Sequence, residues 1–221
     1  MKLIIANWKS NKNLASAKTW LADLSLKIRN SKFEVVIAPP VNLLYLFKEV
    51  NNISLAVQDL SPYPAGSYTG AISAHNLEDF NIKYAILGHS ERRRYFHETD
   101  QDVAKKVAQA IENKIIPLLC INEEYLLSQY SALDEKLASK CVVVYEPLSA
   151  IGSGDNAPVS KVLEIKKRVA QLFGQVKFIY GGSVNANNVQ DYLAITDGVL
   201  VGGASLEVEG FNKIISSNYD T

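Results

Sequence analysis

The chain has 221 residues, 48% of them hydrophobic, with 23 Lys and Arg balanced by 23 Asp and Glu and only two cysteines. Such a composition describes an ordinary globular protein able to bury its own core, and a formal charge of zero provides no broad cationic field for nucleic acid or anionic lipid. Two cysteines make no disulfide framework, and no CxxC or HxxxH spacing suggests a metal site.

The first apolar run, within KLIIANWK from Lys2, is too short for the core of a secretory signal, and no stretch of roughly 18 apolar residues occurs. A cytoplasmic location is therefore expected. Leu14, Ala17, Leu21, Leu24 and Ile28 then step by three and four, which predicts a helix with one buried face. Further apolar runs follow as EVVIAPP from Glu34, SLAVQDL from Ser54, YAILGHS from Tyr84, IPLLCIN from Ile116, CVVVYEP from Cys141, KFIYGGS from Lys177 and GVLVGGAS from Gly198. Several are nearly continuously apolar and do not alternate, as expected of parallel strands covered on both faces. Between them, Thr99 and Asp102 form a capping-box pattern ahead of Val103, Val107 and Ile111. Pro158 fits the first turn of a helix carrying Val162, Ile165, Val169 and Leu172.

Eight strand-helix units at about 28 residues each predict an α/β fold, a single (β/α)8 barrel over residues 1–221. An open doubly wound sheet would carry GxGxxG after its first strand. Here that strand ends in Asn-Trp-Lys, and the glycine pairs Gly181-Gly182 and Gly202-Gly203 follow the seventh and eighth strands instead, where barrels build phosphate sites. In a barrel the polar residues that end the strands share one mouth. They are Asn7 and Lys9, then His89, Ser90 and Glu91, then Glu146, then Ser183 with the glycine pairs. One cation, one imidazole, one carboxylate and a bed of backbone N–H groups suffice to move a proton beside the carbonyl of a phosphorylated substrate. Cys120 and Cys141, placed at opposite ends of neighbouring strands roughly 15 Å apart, are expected to be free thiols.

NWK, GHSERR, YEPLSAIGSG, YGGSVN and LVGGASL resemble, in order and strand position, the motifs of the triosephosphate isomerase family from Lys2 to about Ile215. The resemblance implies interconversion of dihydroxyacetone phosphate and glyceraldehyde 3-phosphate without cofactor. Glu146 would be the base, His89 a neutral imidazole acting on the substrate oxygens, and Lys9 the cation, with Asn7 and Glu91 supporting it. Arg92 and Arg93 are read as structural ion-pair partners, and His75 and His97 as surface or structural. Gly152, Ser183, Gly202 and Gly203 match phosphate ligands, and Ile151 and Leu200 an apolar pair closing over the base. Pro147 to Ala157 resembles a mobile lid. SYTG resembles an intersubunit loop in which Thr69, beside Tyr68, reaches the neighbouring subunit, so that a homodimer through residues 59–70 is implied; Leu60, Tyr63 and Tyr68 are expected to be displayed there.

The sequence also departs from the family pattern. Ser149 replaces tryptophan, Asp155-Asn156 replace lysine-threonine, Asn122 and His97 replace glycines, Asp59 replaces asparagine, and residues 123–140 form a shortened segment. A Schiff-base aldolase would end its sixth strand in lysine, where this chain has Glu146. A phosphosugar-binding scaffold that had lost catalysis should lack at least one of Lys9, His89 and Glu146, and all three are present.

Overall fold

The computed structural model describes residues 1–25, 28, 31–147 and 156–217. Eight parallel strands close in chain order into a barrel: β1 (Leu3–Asn7), β2 (Glu34–Ala38), β3 (Ser54–Val57), β4 (Ile82–Leu87), β5 (Ile116–Ile121), β6 (Val142–Tyr145), β7 (Phe178–Tyr180) and β8 (Gly198–Val201). Around them lie α1 (Leu14–Ser25), α2 (Ser90–Phe96), α3 (Asp100–Glu112), α4 (Leu126–Ala132), α5 (Glu135–Ala138), α6 (Val159–Phe173), α7 (Val189–Ile195) and α8 (Val208–Ile215). Short 3-10 helices at Val41–Phe47 and Ala74–Phe80 follow β2 and precede β4.

The apolar runs hide a period of two. Leu3, Ile5, Val36, Tyr84, Ile86, Leu118, Val144 and Leu200 pack inside the barrel. Their alternates Ile4, Ala6, Val35, Ile37, Leu119 and Val143 face the helical layer. Each strand is thus buried on both faces, which is why alternation is invisible in the sequence. Register keeps the interior in layers: Ile5 is level with Val36 on one side and Leu200 on the other. At the β8–β1 seam Gly198 has φ 157°, and a side chain there would fall onto the Leu3 backbone.

The helices bury the faces that their periodicity predicts, with local differences. Val103 and Val107 of α3 are buried behind a formed Thr99–Asp102 capping box. Helix α6 buries Val162, Ile165, Val169 and Phe173, the last taking the place expected of Leu172, and Pro158 is its N-cap rather than part of its first turn. In α1 the buried residues are Ala17, Trp20 and Leu24. Leu14 is exposed at the start of the helix, and Ile28 is buried beyond its end. Trp20 explains the shift, because its ring packs against Trp8 and Phe211 and fills the space between helix and barrel. The shortened segment 123–140 contains only α4 and α5. Leu60 is buried in the outer core, not displayed on its loop.

Both cysteines are free and buried. Leu118 pairs with Val142, so Cys120 and Cys141 are offset by three residues, about 10 Å along the strands. That is nearer than the sequence suggests, yet beyond disulfide reach.

Candidate active site

The mouth of the barrel is assembled from strand ends. Asn7 closes β1, and its Oδ1 accepts a hydrogen bond from Lys9 N at 3.0 Å. Lys9 adopts φ 50°, a left-handed conformation unusual for a residue with a Cβ. Gln58, just past β3, holds that conformation from the other side: its Nε2 donates to Lys9 O at 2.9 Å and to Ala38 O at 2.8 Å. The ammonium of Lys9 then reaches Glu91 Oε1 at 2.5 Å.

Beyond β4, Gly88 turns the chain at φ 71° and His89 caps α2. Its Nδ1 accepts from Glu91 N at 3.2 Å. A backbone N–H can only donate, so this contact leaves Nδ1 without a proton and puts the ring proton of the neutral imidazole on Nε2. Nε2 faces Glu146 Oε1 at 3.1 Å, and the second carboxylate oxygen accepts from Ser90 N at 3.2 Å. Glu146 follows β6 and is 2% exposed. Its own N–H donates to Ile121 O at 2.8 Å, anchoring the carboxylate to β5 as well. Behind it lies Cys120, whose thiol is pushed well above its ordinary range by burial and by the Glu146 carboxylate. The Tyr145 hydroxyl donates to Glu123 at 2.6 Å and is likewise raised, chiefly by burial.

These groups border a cavity of about 430 Å³ lined by Lys9, His89, Glu146, Ser183, Leu200 and the Gly202-Gly203 pair. Asn7 also borders it, whereas Glu91 bears on it through Lys9. Val184, Asn185 and Leu206, which close the YGGSVN and LVGGASL motifs, border it too, as does Asn11, which no motif singles out. Gly202 leaves room for the lysine: a Cβ there would stand 3.4 Å from Lys9 Cε. Ile151 and Gly152, with Ser149 and Asp155, lie outside the described residues. Leu200 belongs to the innermost layer of the barrel and borders the cavity from below.

Arg92 pairs with Asp59 at 2.8 Å and Glu98 at 3.0 Å, and Arg93, buried, pairs with Asp100 at 2.6 Å. Lys106 joins Asp59 and Glu98 in the same network. Asp59 therefore serves two cations, although burial raises its carboxyl above the ordinary range. His75 is exposed beside Glu78, which raises its ring pKa. His97 ends α2 at φ 53°, the conformation that a glycine would supply there. Tyr68 and Thr69 are exposed away from the cavity, with the Tyr63 and Tyr68 rings stacked at 4.5 Å. Among the described residues no group of three or more His, Cys, Asp and Glu is placed to hold a metal ion, and no helix is long and apolar enough to cross a membrane.

A family model described as triosephosphate isomerase matches residues 2–218. Curated relatives bearing that name include one from Mesomycoplasma hyorhinis, 39% identical over 98% of both chains. Another from Thermus thermophilus is 37% identical over 96% of this chain and 97% of its own. A third, from Francisella tularensis subsp. mediasiatica, is 37% identical over 97% and 96% respectively.

Proposed function

The chain belongs to the triosephosphate isomerase family, and from that premise we propose how it interconverts dihydroxyacetone phosphate and D-glyceraldehyde 3-phosphate, the aldose-ketose isomerisation of glycolysis and gluconeogenesis. Glu146 takes a proton from the carbon beside the carbonyl, and the electron pair left behind becomes an enediolate. The resulting carboxylic acid returns the proton to the neighbouring carbon. His89, as neutral imidazole, donates through Nε2–H to the substrate oxygens on which charge develops, and the hydroxyl proton of one oxygen passes to the other between the two carbon steps. Lys9 offsets that charge with its ammonium. Asn7 and Glu91 hold Lys9 in place, one through its backbone and the other through its side chain.

The observation that carries this reading is the 3.1 Å contact between His89 Nε2 and Glu146 Oε1, which puts a base and a protonated donor at one point of the cavity. The substrate phosphate is assigned to the backbone N–H groups of Ser183, Gly202 and Gly203, completed by Gly152, because close approach needs backbone unobstructed by a Cβ. Ile151 closes over the base while Leu200 lines the cavity beneath, and together they keep water from it. We assign the work to one barrel domain over residues 1–221, without metal or cofactor, in the cytoplasm, and assign neither nucleic acid nor membrane as a partner.

A homodimer through residues 59–70 is part of the proposal. The segments that follow β2, β3 and β4 are neighbours at the mouth, and they expose Val41, Tyr45, Tyr63, Tyr68, Tyr95 and Phe96. So many large apolar side chains on adjoining loops support a two-fold contact in which Thr69 reaches Asn7 and Lys9 of the second copy. Incubating purified protein with dihydroxyacetone phosphate and a coupling dehydrogenase tests the activity. Turnover is expected, and phosphate binding without turnover would overturn it. Sedimentation tests the assembly: a monomer at micromolar concentration with full specific activity would remove the dimer and leave the catalytic assignment standing.

A further inference from the structure

Residues 156 and 157 lie across the turn between β7 and α7 and are fastened to it by side chains. Ala157 N donates to the Tyr180 hydroxyl at 2.9 Å, and the Tyr192 hydroxyl donates to Ala157 O at 2.8 Å. The two phenol rings stack at 3.9 Å, so both peptide groups of Ala157 end on one aromatic pair. Gly182 makes room for this clasp, since a Cβ there would stand 2.5 Å from the Tyr180 hydroxyl.

The neighbouring amides are ordered by a chain of necessity. Asn185 N donates to Asn188 Oδ1 at 2.9 Å, which leaves Asn188 Nδ2 as a donor on its other side. That nitrogen lies 3.2 Å from Ser183 O and 2.7 Å from the Asn156 amide, whose facing atom must therefore be Oδ1. Asn156 Nδ2 is then turned toward Ser183 O at 2.9 Å and Gly182 O at 3.3 Å. Two amides thus converge on the carbonyl of Ser183, a residue held at φ 49°. The Gly182 carbonyl shares a peptide plane with the Ser183 N–H, and the two point in opposite directions. Holding that carbonyl sets the direction of that N–H.

We propose that Asn156 and Asn188 are positioning residues for the phosphate end of the substrate, fixing the left-handed turn at Ser183 so that its N–H is aimed into the cavity. The proposal rests on the assignment of Ser183 as a phosphate ligand. The family's usual threonine at position 156 carries one short hydroxyl, which cannot accept from Asn188 and span both carbonyls as the amide does.

Asn156→Ala, Asn188→Ala and the double variant test it through KM and kcat for the triose phosphate, the inhibition constant of inorganic phosphate, and thermal stability. Asn156 is exposed, so its truncation leaves folding intact. The expected result for Asn156→Ala is a rise of about fivefold in both KM and the phosphate inhibition constant with kcat within about twofold, the scale of one net hydrogen bond. The double variant should fall short of the product of the two single effects, because both amides act on one carbonyl. An unchanged inhibition constant, or kcat falling in step with thermal stability, would overturn the proposal. Gly203→Val keeps the parent assignment separable: a Cβ there meets no atom within 4 Å, and the added methyls would occupy the proposed phosphate seat. If that variant weakens phosphate while Asn156→Ala does not, only the positioning role fails. If neither does, the phosphate assignment itself fails.

Discussion

The two ends of the barrel use left-handed backbone for different purposes. Where strands begin, Asn52, Asn81 and Lys114 have φ 67°, 52° and 61° and lie one or two residues ahead of β3, β4 and β5. They stop a helical segment and turn the chain into a strand, work that glycine or asparagine does by conformation alone. Where strands end, Lys9 and Ser183 have φ 50° and 49° and border the cavity. There the conformation aims a functional group, and each residue is held by outside amides: Asn7 and Gln58 on Lys9, Asn156 and Asn188 on Ser183. Strain at the entrance reverses the chain; strain at the mouth carries chemistry and needs a surrounding shell.

The sharpest division between the two ends should come from the base itself. Glu146→Asp retracts the carboxylate by one methylene, and turnover is expected to fall at least about 100-fold with the melting temperature nearly unchanged. Near wild-type turnover would refute the assignment. Gln58→Leu removes the amide that holds Lys9 O and Ala38 O, so a stability loss of about 1–3 kcal/mol should accompany a drop in kcat/KM. Denaturant melts together with kinetics decide the point, since a stability loss with intact kcat/KM would mean that Lys9 keeps its geometry unaided. At the entrance the same kind of backbone should tolerate exchange. Lys114→Gly is expected to stabilise by about 0.5 kcal/mol, relief of left-handed strain being partly offset by unfolded-state entropy, with no change in turnover. A loss of activity there would break the contrast.

An effect equally small, but dependent on pH, belongs to Glu34, also at the entrance. Burial raises its carboxyl, but hydrogen bonds from Lys83, Ser54 and Tyr84 outweigh burial and hold it below its usual 4.5. Because the folded value lies below the unfolded one, its contribution is fully present above about pH 4.5 and is lost as pH falls through the folded value. Glu34→Gln should therefore destabilise by about 0.5 kcal/mol at pH 7, the group being partly solvated, and the difference should vanish in acid. Thermal melts at pH 7 and pH 3 compare the two directly. A gap that persists undiminished in acid would assign the loss to packing rather than charge.

Which residues are legible in the sequence follows from how each one acts. Glu146, His89 and Lys9 stand out because each ends an apolar run, and a barrel brings such ends together whatever their separation. Thr99 and Asp102 are equally plain, since a capping box is local. Trp20 is not, because its place in the core depends on Trp8 at the preceding strand end and on Phe211 from the far end of the chain. Leu60 reads as a loop residue, yet the turn after β3 folds it inward. Gln58, Asn156 and Asn188 leave no periodic trace. A lone amide in a loop acquires meaning only through the carbonyl it meets, which for Gln58 and Asn156 follows another strand and for Asn188 depends on how its own turn folds back.

Cys120 brings a final consequence. Fully buried beside the catalytic carboxylate, with its thiolate form disfavoured by both burial and that charge, it offers alkylating reagents almost no nucleophile in the closed barrel. Reaction then waits for the wall between β5 and β6 to breathe. The labelling rate of Cys120, followed separately from that of Cys141, is thus an internal clock for native-state opening next to the base, and it needs no engineered cysteine.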